Sequence, residues 1–127
     1  MNNYIADIEA RLTGSFVCGI GIISEMAIID FAKEHEVYRL WIDTDWVLTG
    51  FESIEALSQE QNELLMLNEL RNQTVKSFDI DAAKNINIIF SEAETVFYGN
   101  PQDQNVLEPW RIFQLAPENK TMLIHSR

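Results

Sequence analysis

Two stretches of the 127-residue chain, LTGSFVCGIGI at positions 12–22 and LRNQTVKSFDI at positions 70–80, align at a constant offset of 58 residues. Leu12, Val17, Ile20 and Ile22 each align with an apolar residue, and self-similarity of this kind indicates a duplicated unit. We therefore predict two repeat-like β units, 12–50 and 70–127, within a single domain that spans 1–127. Small shifts extend the alignment, pairing Ile29 and Phe31 with Ile88 and Phe90, Leu40 and Ile42 with Val96 and Tyr98, and Trp46 and Leu48 with Trp110 and Ile112.

Apolar residues alternate within both stretches, which is typical of strands with one buried face. Phe16, Cys18, Ile20 and Ile22 share one parity, so this pattern places the Cys18 thiol inside the protein. A buried thiol argues against a nucleophilic cysteine. Short runs rich in β-branched and aromatic residues predict further strands at 27–31, 37–42, 46–48, 86–90, 95–98, 110–115 and 120–125.

Two other segments have helical spacing. Tyr4, Ile8 and Leu12 predict a short N-terminal helix, and SQEQ at 58–61 resembles a capping box before a leucine-rich run. The region 53–70 would then link the two units and cover an apolar sheet face. These observations predict an α+β fold dominated by β structure: two pseudo-repeated antiparallel β units joined by a helix, with a polar loop over 100–109.

The chain is strongly acidic, with 9 Lys and Arg against 20 Asp and Glu and a net charge of −11. Such a charge repels nucleic acid and anionic lipid, so we predict no direct nucleic-acid or membrane partner. The N-terminal residues lack the basic start and long apolar stretch of a secretory signal, and a cytoplasmic location is expected. One cysteine forms no internal disulfide, which agrees with a reducing compartment.

No motif predicts catalysis. His35 and His125 have no partner at metal-ligand spacing, so neither a metal site nor a cofactor is predicted. Asp43 and Asp45, and likewise Asp79 and Asp81, lie two residues apart and could be imagined as an acid and base pair. The same spacing is found on the solvated face of an antiparallel sheet, and we favour surface charge. We predict no catalytic residues.

A protein-binding surface is the function that these residues favour. Trp41 shares parity with Asp43 and Asp45, opposite to Leu40 and Ile42, so we expect it to stand on an acidic face as an aromatic anchor. The predicted partner-binding residues are Trp41, Asp43, Asp45, Glu52 and Glu55, with Asp79 and Asp81 in the second unit.

The L-x-G-x-x-V opening at 12–17, the loop NPQD at 100–103 and the EPW motif at 108–110 resemble a small uncharacterised bacterial family of duplicated β-rich domains. Asn72 replaces the glycine expected in the second opening. In size and acidity the chain also resembles the immunity proteins of contact-dependent inhibition and other polymorphic toxin systems. That resemblance implies a non-enzymatic cytoplasmic protein that neutralises a toxin, typically a nuclease with a basic cleft.

Three alternatives remain open on the sequence. The chain could be a small-ligand-binding or enzymatic domain with a pocket between the β units. It could be a housekeeping interaction subunit whose acidity serves solubility. It could also mimic nucleic acid, in which case it would bind several unrelated basic proteins rather than one.

Overall fold

The computed structural model describes residues 3–99, 108–117 and 121–125. Strands predominate over helices in this part of the chain, as predicted. Two helices and nine strands lie within the described ranges: α1 (Asn3–Leu12), β1 (Phe16–Ile23), β2 (Met26–Lys33), β3 (Glu36–Ile42), β4 (Trp46–Leu48), α2 (Gln59–Leu70), β5 (Val75–Ile80), β6 (Ile86–Phe90), β7 (Glu94–Phe97), β8 (Trp110–Ala116) and β9 (Thr121–His125).

The strands form two antiparallel sheets, which confirms the α+β prediction. One sheet has five strands in the order β1-β2-β3-β8-β9, and the other has four in the order β4-β7-β6-β5. The fourth strand of each predicted unit therefore joins the sheet of the other unit. The two sheets consequently do not coincide with the two stretches of sequence that repeat. The predicted loop at 100–109 lies mostly outside the described residues.

Backbone hydrogen bonds connect the two repeated stretches reciprocally. Each bond has a counterpart in which donor and acceptor are exchanged and both positions move by 58 residues. Such exchange is what a pseudo-twofold axis between duplicated units produces, and Phe16 bridges to Thr74, its own equivalent. The four bonds are Gly14 N to Val75 O (2.8 Å), Asn72 N to Val17 O (3.2 Å), Val17 N to Gln73 O (2.9 Å) and Val75 N to Ser15 O (2.7 Å).

Strand pairing corrects part of the sequence alignment. Ile29 faces Leu40 across one hairpin and Ile88 faces Thr95 across the other. Leu40 and Ile42 are therefore equivalent to Thr95 and Phe97, and the predicted match to Val96 and Tyr98 is wrong by one residue. The turn after β6 is shorter than the turn after β2, which shifts the offset in a way that apolar matching alone does not locate.

The two tryptophans do occupy equivalent places, as predicted. Trp46 lies opposite Phe97 on β7, and Trp110 lies opposite Ile42 on β3. Both indoles are buried, with 7% and 0% of their surface exposed. Their equivalence survives the exchange of β4 and β8 between the sheets.

A β-bulge reverses the alternation predicted for β1. The register shifts between Val17 and Gly19, and a matching shift occurs between Val75 and Ser77 in β5. Because one extra residue is inserted, the side chains before and after the bulge no longer share parity. Val17 is buried and Cys18 is exposed, so the prediction of a buried thiol is wrong.

The helices are also exchanged between the units. α1 packs against β5, and α2 packs against β1. Ser58 and Gln61 form the predicted capping box at the start of α2. The inner residues of both sheets and both helices form one hydrophobic core, which contains Ile8, Leu12, Leu67 and Leu70. No helix of the described ranges is long and apolar enough to span a membrane.

Candidate functional site: an acidic segment with two cavities

One stretch of the chain carries most of its excess negative charge. Residues 40–70, which we call the acidic segment, contain no Lys, Arg or His. They form the end of β3, the short strand β4, the connection 49–58 and α2. The segment has seven carboxylates: Asp43, Asp45, Glu52, Glu55, Glu60, Glu63 and Glu69.

Trp41 does not stand among carboxylates, so that expectation is wrong. It lies on the face of the five-stranded sheet opposite to the core, as its parity predicted. The guanidinium groups of Arg39 and Arg111 lie 5.7 and 5.8 Å from its ring centroid. Arg39 comes from the same strand and Arg111 from β8, which is brought beside β3 by the strand exchange. The neighbours of Trp41 therefore depend on a pairing that local sequence does not reveal.

The other residues predicted in the first unit lie in or after the turn that follows β3. Asp43 and Asp45 are exposed, and their backbones are fixed by hydrogen bonds with Pro109 O (2.7 Å) and the Tyr98 amide (3.3 Å), respectively. Glu52 and Glu55 are exposed in the connection between β4 and α2. All four carboxylates belong to the acidic segment.

Asp79 and Asp81 lie outside the acidic segment, on β5 and the turn that follows it. Asp79 is exposed. Asp81 Oδ1 accepts hydrogen bonds from the amides of Ala83 and Asn85, both at 2.9 Å. The backbone hydrogen bond from Asn85 leads the causes that lower the pKa of Asp81, with Asn87 and Ala83 adding to it. This carboxylate therefore organises its own turn.

A first cavity, the α2 cavity, lies between α2 and the chain around β4. Its volume is about 280 Å³. Glu63 stands at its wall and accepts a hydrogen bond of 3.0 Å from the Trp46 indole N–H. Burial raises the pKa of Glu63, and the nearby Glu60 and Asp45 raise it further, while the Trp46 hydrogen bond opposes both. Its lining includes Thr44, Asp45, Trp46, Asn62, Glu63 and Met66.

Asn62 holds one wall of the α2 cavity in place. Its Oδ1 accepts from the Ile54 amide (2.7 Å), and its Nδ2 donates to the carbonyls of Ile54 and Ser58, both at 3.1 Å. The side chain is 8% exposed, so these bonds satisfy a buried amide. Sequence analysis missed both Asn62 and Glu63. The available signal was a polar pair inside a leucine-rich helix that joins the two units.

A second cavity, the connection cavity, lies between the residues after β4 and the end of α2, with a volume of about 220 Å³. Three glutamates line it, and neither this cavity nor the α2 cavity is lined by a Lys, Arg or His of the described chain. Gln73 closes the end of α2 by donating to Glu69 O at 2.6 Å. Its lining includes Thr49, Gly50, Glu52, Glu69, Gln73 and Glu92.

The first half has an equivalent cavity with different charges, the α1 cavity, of about 360 Å³. Arg11 corresponds to Glu69 at the offset of 58, and Lys33 corresponds to Glu92 through the β2 and β6 register. Lys33 Nζ donates to the carbonyl of Thr13 at 2.8 Å, which closes the end of α1. The α1 cavity thus mixes cations with Glu34 and Glu36, whereas the connection cavity is lined by acids alone.

The acidic segment also exposes apolar side chains. Leu64 and Leu65 project from α2 with 43% and 38% of their surface exposed, and Val47 and Ile54 are exposed to a similar degree. Carboxylates, exposed aliphatic side chains and two cavities therefore occur on one continuous stretch. An apolar patch with a polar rim is characteristic of protein interaction surfaces.

No protein-family model, curated protein or solved structure matches this chain. Within the described ranges, no three His, Cys, Asp or Glu side chains are grouped so that they could hold a metal ion. The acidic segment is therefore the candidate site on its own physical features.

Proposed function

We propose that the protein is a non-enzymatic binding protein that neutralises a basic protein partner, most plainly a bacterial toxin of which it is the cognate immunity protein. The observation that carries this proposal is the acidic segment: seven carboxylates and no base, next to exposed aliphatic side chains. Charge of one sign accelerates the encounter with an oppositely charged partner, and apolar contacts then slow dissociation.

The charge is concentrated rather than spread, which favours recognition over simple solubility. Its equivalent in the first half, α1 with the turn after β2, carries Arg11, Lys33 and His35 among its acidic residues. A soluble interaction subunit needs net charge, but it does not need all bases removed from one stretch of 31 residues. The segment therefore supports a partner with a basic surface.

A small-ligand or enzymatic function has less support. The α2 cavity, at about 280 Å³, falls just below the usual range for drug-sized ligands, and the connection cavity is smaller. Both cavities lie on the acidic segment rather than in the core between the sheets. Their size suits one side chain of a partner protein better than a free metabolite.

Association kinetics with the toxin domain encoded beside this gene test the proposal. The variant Glu52→Lys/Glu55→Lys should associate about tenfold more slowly at low salt and show a weaker salt dependence. Both residues are exposed in the connection between β4 and α2, so the fold should persist. Protection of cells from the toxin provides the functional measurement.

The matched control is Glu25→Lys/Glu34→Lys, which makes the same charge change at exposed turn residues outside the acidic segment. It should retain wild-type association. Equal effects of the two double variants would reduce the role of the segment to net charge. If Asp79→Lys alone slows association, the interface lies on the four-stranded sheet instead.

A further inference from the structure

We propose that the α2 cavity is a receptor for a guanidinium group, and that an arginine side chain of the basic partner occupies it. This inference rests on the proposed function for the source of the arginine, although the cavity itself can be tested without any toxin. Four features of the cavity support it: its size, its charge, its unused hydrogen-bonding groups and its divergence from the equivalent place in the other half.

Size selects a side chain. The cavity volume of about 280 Å³ is small for a metabolite but accommodates a guanidinium group with its alkyl stem. Met66 and Trp46 offer apolar surface to the stem, and Asp45 and Glu63 offer carboxylates to the charged end. Arginine side chains combine these two requirements, since the guanidinium pairs with carboxylates while its methylenes pack on apolar surface.

The cavity contains negative charge that the protein does not neutralise. No Lys, Arg or His lines it in the described chain, and Glu60 adds a third carboxylate close to Glu63. Repulsion among these groups disfavours the ionised form of Glu63, and a bound cation would remove that penalty. Guanidinium is more weakly hydrated than ammonium, so it loses less on entering a half-buried site.

Hydrogen-bonding capacity remains unused at the same place. Within the described residues, Glu63 Oε2 accepts from Trp46 and its Oε1 receives no hydrogen bond. Thr44 Oγ1 is buried, exposing less than 1 Å², and makes no hydrogen bond in the part of the chain that the structure describes. A planar group with five N–H donors can satisfy acceptors of this kind together.

The walls of the cavity are fixed before any ligand arrives. Asn62 ties the connection 54–58 to α2, and Trp46 stacks on Phe97 with ring centroids 5.0 Å apart and an interplanar angle of 26°. A site that needs no rearrangement loses less free energy on binding. The α2 cavity therefore presents its carboxylates in a preorganised geometry.

The first half shows that the fold itself does not require this carboxylate. The residue equivalent to Glu63 is Ile5, which packs against the core. The other tryptophan, Trp110, donates its indole N–H to the backbone carbonyl of Lys84 instead of to a carboxylate. An aliphatic residue thus serves at this helix position, and Glu63 costs stability through burial of charge. We attribute that cost to ligand binding.

Titration of the free protein with n-propylguanidinium, followed by ¹H–¹⁵N NMR, tests the inference directly. Saturable shifts are expected at the Trp46 indole N–H and the Asn62 side-chain amide, with a millimolar dissociation constant. Glu63→Gln should weaken binding about tenfold, the loss expected for one charge-assisted hydrogen bond. The matched control Glu69→Gln removes the same charge from the same helix and should bind the probe as wild type does.

Several outcomes would overturn the inference: no saturable shift in the wild-type protein, equal weakening by Glu69→Gln, or equal or tighter binding of n-propylammonium. Calcium chloride that produces the same shifts would assign the cavity to a metal ion instead. Asp45→Asn provides a second variant if Glu63→Gln fails to give a dispersed spectrum. Because the probe is a small molecule, guanidinium binding without toxin protection would reject the proposed function and leave the cavity intact, and the reverse result would do the opposite.

Discussion

The two repeated stretches solve one backbone problem with different residues. Gly14 and Asn72 follow α1 and α2 at equivalent positions, and both have positive φ, +89° and +66°. Asparagine adopts this left-handed conformation more readily than most side chains, so it can replace the glycine. The missing glycine of the second opening therefore leaves the geometry of the duplication intact.

Charge diverges where backbone geometry does not. Arg11 and Lys33 line the α1 cavity, and Glu69 and Glu92 occupy their equivalent places at the connection cavity. Buried positions are constrained by packing and hydrogen bonding, whereas an exposed residue can change sign at little cost to folding. The comparison teaches that the surfaces of the two halves have separated while their cores have remained alike, which is how one half can acquire a binding surface.

The largest test of the comparison concerns the two tryptophans. Trp46→Ala and Trp110→Ala should each lower the free energy of unfolding by about 3–5 kcal/mol, because each removes a buried indole from an equivalent place. Urea unfolding of the two variants measures both values. Trp41→Ala is the control from outside the core and should cost less. A cost near zero for both buried positions would contradict the equivalence.

Much of the fold could be predicted from the sequence because it is encoded locally. The capping box at Ser58, the leucines of α2 and the period-two runs each lie within a few residues of one another. The exchange of β4 and β8 could not be predicted, since it depends on which strand edges meet in space. The bulge at Cys18 was equally hidden, because one inserted residue reverses parity without any change in the apolar pattern.

The candidate site was only partly visible for the same reason. Asp43, Asp45, Glu52 and Glu55 belong to a local run of acidic residues, and a charge count finds them. The cavity around Glu63 requires a helix to pack beside the turn after β3, which is a tertiary event. Trp41 shows the limit most clearly, because its neighbour Arg111 is 70 positions away in the chain.

A second test asks whether asparagine is the acceptable substitute at the left-handed position. Gly14→Ala should cost about 1–2 kcal/mol, because a Cβ strains this conformation although its nearest contacts, with Lys33, are ordinary at 3.6 and 3.7 Å. Gly14→Asn should cost less, as the residue at 72 indicates. Thermal unfolding of the two variants decides the matter, and an asparagine variant as unstable as the alanine variant would show that Gly14 has a further role.

A third test uses Thr95, which is equivalent to Leu40. Thr95 is 2% exposed, and its hydroxyl has no hydrogen-bond partner among the described residues. Thr95→Val should therefore raise the free energy of unfolding by about 1 kcal/mol, since a nearly isosteric methyl group carries no desolvation penalty. Chemical denaturation is the measurement. A loss of stability would indicate that the hydroxyl has a partner in native solution conditions.

The smallest expected effect separates Glu63 from its equivalent Ile5, and it depends on pH. Burial raises the pKa of Glu63, with Glu60 and Asp45 adding to the effect, so the folded state holds this proton more tightly than the unfolded state does. The resulting stabilisation is fully present below the unfolded pKa, about 4.3, and is lost as the pH rises through the folded pKa. Glu63→Gln has no such loss and keeps an acceptor for the Trp46 indole. Its melting temperature should thus gain on that of the wild type between acidic and neutral pH, whereas Glu69→Gln, which controls for net charge, should not reproduce the gain. A difference between Glu63→Gln and wild type that is independent of pH would show that the carboxylate is as well solvated in the fold as outside it, and would remove the stability cost that we attribute to ligand binding.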